Sequence, residues 1–363
     1  VKNSKLFIVF LVLAMIFVAA ACGNGQTDNG DNGDNGDNGD NGGNGDGDNE
    51  PIVLNVEDYY PLRENVHYVY EGMGNEFASY DLYIDYLEGN KVQSRINNGG
   101  SETIQVIEVG DDKITKLYFE GEVYYRENKI NKVNRNEVLL AEPIEVGNSW
   151  TLEDGSVRTI TSIDVSVTTP MGVYKAIEVS TEFAQVEGQT STDYYAKDLG
   201  LIKSVFKTEG EEITSTLKNM YEDVKLTQHI MFFYPSLDDE TYYYQTKPVE
   251  FETNDITRKV LEKEYKNESP STVLTENTEI NWLYLNNDGM VYIDVSGDFV
   301  TEMNAGAAYE SMILQALANT IGNYYGVERI LLTLDGDLYE SGHILLQQGE
   351  YLTVNMEDAE ELE

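Results

Sequence analysis

The chain is poor in cysteine: its 363 residues include one, Cys22. No intrachain disulfide can form, so any folded part must be held together by its cores. Basic residues are also scarce. Lys and Arg number 24 against 65 Asp and Glu, for a formal charge of −41. Such a surface repels nucleic acid and anionic headgroups, which excludes a nucleic-acid role. The three histidines, His67, His229 and His343, lie far apart in the sequence. None has a ligand partner at helical i+3 or i+4 spacing, and His-Glu-x-x-His does not occur, so no metal site is expected. Gly-x-Ser-x-Gly and a phosphate-binding glycine loop are absent too. No catalytic residue and no cofactor is expected, and the chain reads as a non-enzyme. Acidic pairs such as Asp238-Asp239 could serve a glycosidase, but 65 acidic residues produce such pairs by chance.

A membrane-spanning helix needs roughly 20 apolar residues. The run Leu6 to Ala21 has 16, follows Lys2 and Lys5, and ends on Ala19-Ala20-Ala21. That order is the one a secretory signal shows. Val18-Ala19-Ala20-Ala21-Cys22-Gly23 resembles a bacterial lipobox. The resemblance implies cleavage before Cys22, diacylglycerol on its sulfur, and often a third acyl chain (palmitate-type) on the new amino group. Two or more acyl chains make a durable anchor, so the expected location is the outer face of the cell membrane.

Residues 23–50 follow as a linker, with five Asp-Asn-Gly triplets from Asp28 to Gly42 and no aliphatic or aromatic side chain. Such a segment cannot offset its ordering entropy, and as a flexible coil it reaches about 30 Å. Calcium loops need a bidentate acid and fixed turns, which these triplets lack, so they read as a tether.

Residues 51–224 read as an all-β antiparallel domain. Tyr80, Leu82, Ile84 and Tyr86 alternate with Asp81, Tyr83, Asp85 and Leu87, the period of a half-buried strand. Short turns lead into Val92–Asn97, Ile104–Glu108, Ile114–Phe119 and Val123–Arg126, and Thr169–Gly172 joins Ile160–Val167 to Tyr174–Thr181. Strands separated by such turns form a meander. The phrases Val146–Trp150 and Tyr195–Lys203 resemble those of β-rich extracytoplasmic lipoprotein domains, some with a curved sheet like that of the lipoprotein carrier LolA.

Residues 225–354 change character. Strand-like Ile230–Tyr234 and Tyr242–Phe251 precede a helix from Asp255 to Tyr265 that Asn254 could cap. Asn287-Asp288-Gly289 is a hairpin signal between Ile280–Leu285 and Met290–Val295. In the helix Ala305–Tyr325, Ile313, Leu317 and Ile321 mark the sheet-facing stripe, with Glu310, Gln315, Asn319 and Asn323 opposite. Val327–Leu334 and Gly342–Gln347 complete a ββαββαββ order, and residues 355–363 form an acidic tail expected to fray.

Met290–Phe299, the helix with Ala318–Ile321, Tyr325–Ile330 and Leu334–Gly336 follow one another as in the GerMN domain of sporulation and germination proteins, which this part resembles. Thr275 and Asn277 stand where that family often has proline and glycine. The resemblance implies a non-catalytic envelope module with no site residues to transfer. The fold expected is therefore α+β overall, an all-β antiparallel domain, with a curved sheet if it follows the LolA-like resemblance, and then a compact GerMN-like domain. The function expected is a lipid-anchored scaffold or assembly factor of the envelope, with the membrane, envelope proteins or peptidoglycan as partners. The alternative is a binder of lipid or cell-wall glycan through the β domain. Tyrosine runs such as Tyr242-Tyr243-Tyr244 would be core on one face, or a stacking platform for sugar rings.

Overall fold

In the computed structural model the described residues are 54–357 and 359–362. Cys22, the signal-like run and the tether lie outside them.

Alternating sequence lays down twelve strands in two meanders. The first holds β1 (His67–Met73), β2 (Tyr80–Glu88), β3 (Lys91–Asn97), β4 (Glu102–Val109), β5 (Lys113–Gly121) and β6 (Glu137–Ala141). The second holds β7 (Ser149–Thr151), β8 (Val157–Thr169), β9 (Gly172–Glu182), β10 (Thr190–Ala196), β11 (Gly200–Thr208) and β12 (Glu211–Tyr221). They join through β1 and β12 into one sheet of order β6-β5-β4-β3-β2-β1-β12-β11-β10-β9-β8-β7. Its two outermost strands, β6 and β7, are consecutive in the chain. The loop 142–148 between them can reach at most about 25 Å, so the sheet must roll until its edges meet.

Side chains close that seam. The Trp150 indole donates to the Val138 carbonyl at 3.0 Å. Arg158 donates to the same carbonyl at 2.6 Å and to Glu137 at 2.7 Å, and Lys116 pairs with Glu137 at 3.2 Å. Burial would raise the Glu137 carboxyl pKa, but Lys116 and Arg158 prevail and hold it down at about 2. A 3-10 turn, Val56–Tyr59, ties the two halves. The Val56 N–H donates to Glu142 and the Asp58 carbonyl accepts from Asp198 N–H. Ile107, Ile114, Leu140, Ile160 and Ile177 are fully buried.

The segment expected as a strand at Val123–Arg126 is not one. Residues 122–136 cross the outer face of β2–β4 as an irregular strap. Arg95 of β3 holds it, donating to the Val123 and Tyr125 carbonyls at 2.5 and 2.7 Å. The strap spends its backbone carbonyls on that guanidinium, not on a ladder.

The C-terminal part begins with the hairpin of β13 (Leu226–Ser236) and β14 (Thr241–Phe251). Helix α1 (Thr257–Lys266) follows, then β15 (Ile280–Leu285), β16 (Val291–Val295), the short α2 (Asp298–Thr301) and the long α3 (Ala307–Tyr325). Gly326 ends α3 in the left-handed region, φ 68°, as glycine permits. β17 (Arg329–Leu334) lies parallel to β16, the pairing a helical crossover allows. β18 (Asp337–Leu338), β19 (Leu352–Thr353) and β20 (Ala359–Glu361) are short. The strands form two sheets, β13-β14-β20 and β15-β16-β17-β18 with β19 beside β17.

Several sequence expectations change here. Gly342–Gln347 is no strand: Ser341 Oγ accepts from the N–H groups of His343 and Ile344 and bends the chain. The expected ββαββαββ order therefore lacks its last full strand. The acidic tail pairs through β20 with Tyr242–Tyr244 of β14. Asn254 does not cap α1: it sits at φ 71° and its carboxamide oxygen accepts from Leu87 N–H. In α3, Ile313, Leu317 and Ile321 are buried as the spacing predicts, yet Glu310 and Asn319 are buried as well. The chain beyond β17 covers their side of the helix. Tyr339 donates to Glu310 at 2.8 Å, and Asn319 bonds the Asn355 backbone at both N–H and carbonyl.

The outer edge of β13 is also covered. Phe233 N–H donates to Thr320 Oγ1 and Phe233 carbonyl accepts from Tyr265, while Thr320 donates to Tyr265. A paired edge cannot recruit a stray strand.

Candidate functional site

Residues Asn55–Glu363 form one compact unit, and the join between the rolled sheet and the C-terminal part buries charged side chains. Asp85 is fully buried between two guanidinium groups, Arg95 at 3.1 Å and Arg126 at 3.6 Å. Arg126 also donates to the carbonyls of Asp85, Glu252 and Asp255 and lies over the Tyr86 ring. Burial would lower the Arg95 pKa; Asp85 and Glu102 overcome it and raise it. Arg95 therefore stays charged. Asn65 and Thr253 exchange two bonds of 2.8 Å across the same join. Ile104, Val123 and Tyr125 enter the hydrophobic core of the C-terminal part.

Where the two surfaces diverge, a groove of about 910 Å³ opens. Its floor is the outer face of the rolled sheet. Strand register places Arg95, Tyr83, His67 and Tyr221 in one row across β3, β2, β1 and β12. His67 stacks on Tyr83 at 4.1 Å and 10°, with Tyr221 tilted beside it at 5.8 Å. His67 Nε2 lies 2.6 Å from Asp81 Oδ1, which fixes the imidazole against the tyrosine. Burial, then Asp81, pushes the Tyr83 phenol up, so it stays a neutral hydroxyl. Asn97, Asn98, Glu71, Glu102 and Lys218 line the floor, and Tyr124 of the strap and Leu226–His229 of β13 form the opposite wall.

The cations of the groove are engaged. Arg95 is held by Asp85, Glu102 and the strap carbonyls, and Lys218 lies 3.7 Å from Glu71. Such a surface can stack against a ring and exchange hydrogen bonds with hydroxyls or amides.

The structure brings His67 and His229 to one groove, which no local pattern foretells. His343 lies apart in the turn after β18, its N–H bonded to Ser341. Asp239 accepts from Ser236 and Tyr243 and caps the β13–β14 turn. Tyr242 and Tyr244 pack on the core, so this run follows the core-on-one-face expectation. Arg95, Arg126 and Tyr83 were missed as junction and groove residues. Among the described residues no cluster of three or more His, Cys, Asp or Glu could hold a metal, and no helix is long and apolar enough to cross a membrane. Cys22 lies outside the described residues.

No curated protein matches the chain. Among solved structures it is similar to an exported protein with a YmcC-like fold from Bacteroides fragilis, at 10% identity over 45% of this chain and 99% of that one, TM-score 0.28. It is similar to the tandem GerMN domains of the sporulation protein GerM from Bacillus subtilis, at 17% identity over 36% of this chain and 46% of that one, TM-score 0.27. A lipoprotein from Parabacteroides distasonis is similar at 11% identity over 45% of this chain and 98% of that one, TM-score 0.27. Residues 231–340 match the Germane family, described as sporulation and spore germination, so the C-terminal part of the chain carries a Germane-type (GerMN) domain.

Proposed function

We propose that this chain is a lipid-anchored, extracytoplasmic scaffold or assembly factor of the cell envelope, without catalytic activity of its own, and related to sporulation or germination. The observation that carries the reading is the Germane-type domain at residues 231–340, joined to the rolled sheet through the buried Asp85, Arg95 and Arg126. A scaffold must hold its contact surfaces in fixed relation, and a junction with two buried guanidinium groups resists hinge motion. Cys22 would anchor the chain, and residues 23–50 would lift the folded unit off the membrane.

The test has two parts. Cys22→Ser should release the protein from the membrane fraction or block its processing; unchanged retention with normal cleavage would remove the anchor from the account. Chemical cross-linking in intact cells should join the chain to a fixed set of envelope proteins. Charge reversals on the exposed strands of the Germane-type domain should reduce those products while the variants stay folded. Cross-links insensitive to every such reversal would argue against a scaffold. The alternative of a lipid carrier finds little support, because the apolar inner-face residues of the rolled sheet are covered by one another.

A further inference from the structure

We infer that the groove between the rolled sheet and the Germane-type domain is a binding site for a neutral, hydroxyl-rich oligosaccharide. The inference is independent of the scaffold reading, which concerns contacts with proteins.

Three properties of the groove select this class. The first is the aromatic row. Tyr83, His67 and Tyr221 lie side by side in register on adjacent strands, and Tyr124 faces them from the strap. Tyr124, which lines the groove, is 51% exposed, and Tyr221, at the end of the row beyond the lining, is 47% exposed. Aromatic faces carrying a polar tip suit a ligand that is apolar on one side and wet at its edge, as a pyranose ring is.

The second is charge. Glu71, Asp81 and Glu102 line the groove, while Arg95 and Lys218 are spent on carboxylates and carbonyls. A phosphate or carboxylate ligand would find Arg95 and Lys218 already paired with Glu102 and Glu71, and the overall −41 opposes it further. Hydroxyl groups have the opposite preference: a carboxylate such as Asp81, already oriented by His67, accepts from them strongly.

The third is shape and polarity. At about 910 Å³ the groove lies in the upper range of small-ligand sites. Its floor offers the Asn97 and Asn98 side chains beside the rings. A lipid tail would strip water from the Glu71, Asp81 and Glu102 carboxylates, at a cost that argues against it.

The experiment is isothermal titration of the full chain, purified in detergent, with a tetrasaccharide of N-acetylglucosamine, and with cellotetraose in parallel. At least one should bind. Tyr124→Ala and His67→Ala, both in the groove lining, should each weaken binding by about tenfold with unchanged circular dichroism. Tyr284→Ala, an exposed tyrosine on β15 outside the groove, should leave it unchanged. A lysine-rich peptide should not compete. The inference is overturned if neither sugar binds, if binding survives both groove substitutions, or if the basic peptide occupies the groove and displaces the sugar.

Discussion

Asp85, Arg95 and Arg126 show how a few side chains decide the behaviour of the whole unit. Arg126 is 1% exposed and serves three backbone carbonyls as well as the Asp85 carboxylate. Arg126→Met would leave those acceptors buried without donors, and breaking a buried pair on one side costs about 3–5 kcal/mol. Urea unfolding should therefore show a large loss of stability. Lys175→Ala, which removes an exposed pair with Asp164, should shift stability by less than about 0.5 kcal/mol. Equal effects from the two would contradict this assignment. Leu317 is fully buried in α3, and Leu317→Asp should abolish soluble expression, since an unpaired charge in a core costs several kcal/mol. Leu317 was legible from helical spacing. Arg95 and Arg126 were not, because an arginine at an alternating strand position looks like a solvent-facing residue until the chain that covers it is known.

At the scale of elements, the seam of the rolled sheet is the feature most open to test. Glu137 is held at about 2 by Lys116 and Arg158 against the opposing effect of burial. A carboxylate with a depressed folded-state pKa contributes stability above its unfolded value, about 4.3, and that contribution is lost as pH falls through the folded value. Wild type should thus lose stability between about pH 4.5 and 2. Glu137→Gln should be less stable at neutral pH and have a flatter profile across that window. Identical pH profiles would show that the seam does not depend on this pair. The sequence foretold half of the twelve strands, because hairpins are local: β2, β3, β4, β5, β8 and β9 lie where alternation and short turns placed them. It did not foretell the joining of the two meanders into one sheet, which depends on β1 meeting β12, His67 opposite Tyr221. Val123–Arg126 reads as a strand because Val123 and Tyr125 alternate correctly, but they pack against the C-terminal core. Glu310 and Asn319 were placed outside for a similar reason: nothing local reveals that residues 339–355 will return to cover them.

Across the whole molecule, the sequence suggests two folded parts that meet between Tyr221 and Leu226. The structure adds a shared core, with Ile104, Val123 and Tyr125 packed among Germane-type residues, so the full chain should unfold in a single transition. Residues 225–363 expressed alone should melt below it, since their surface for Tyr125 is then uncovered; two resolved transitions in the full chain would contradict that coupling. The groove belongs to this scale too, since its two walls come from opposite sides of the join. The central claim is that such a unit acts by contact and not by chemistry. The most direct measurement is incubation of the purified full chain with isolated peptidoglycan, followed by chromatography of the soluble products. The account predicts no released fragment above the protein-free control. A released glycan or peptide, abolished by His67→Ala or Asp81→Asn in a variant that stays folded, would contradict it.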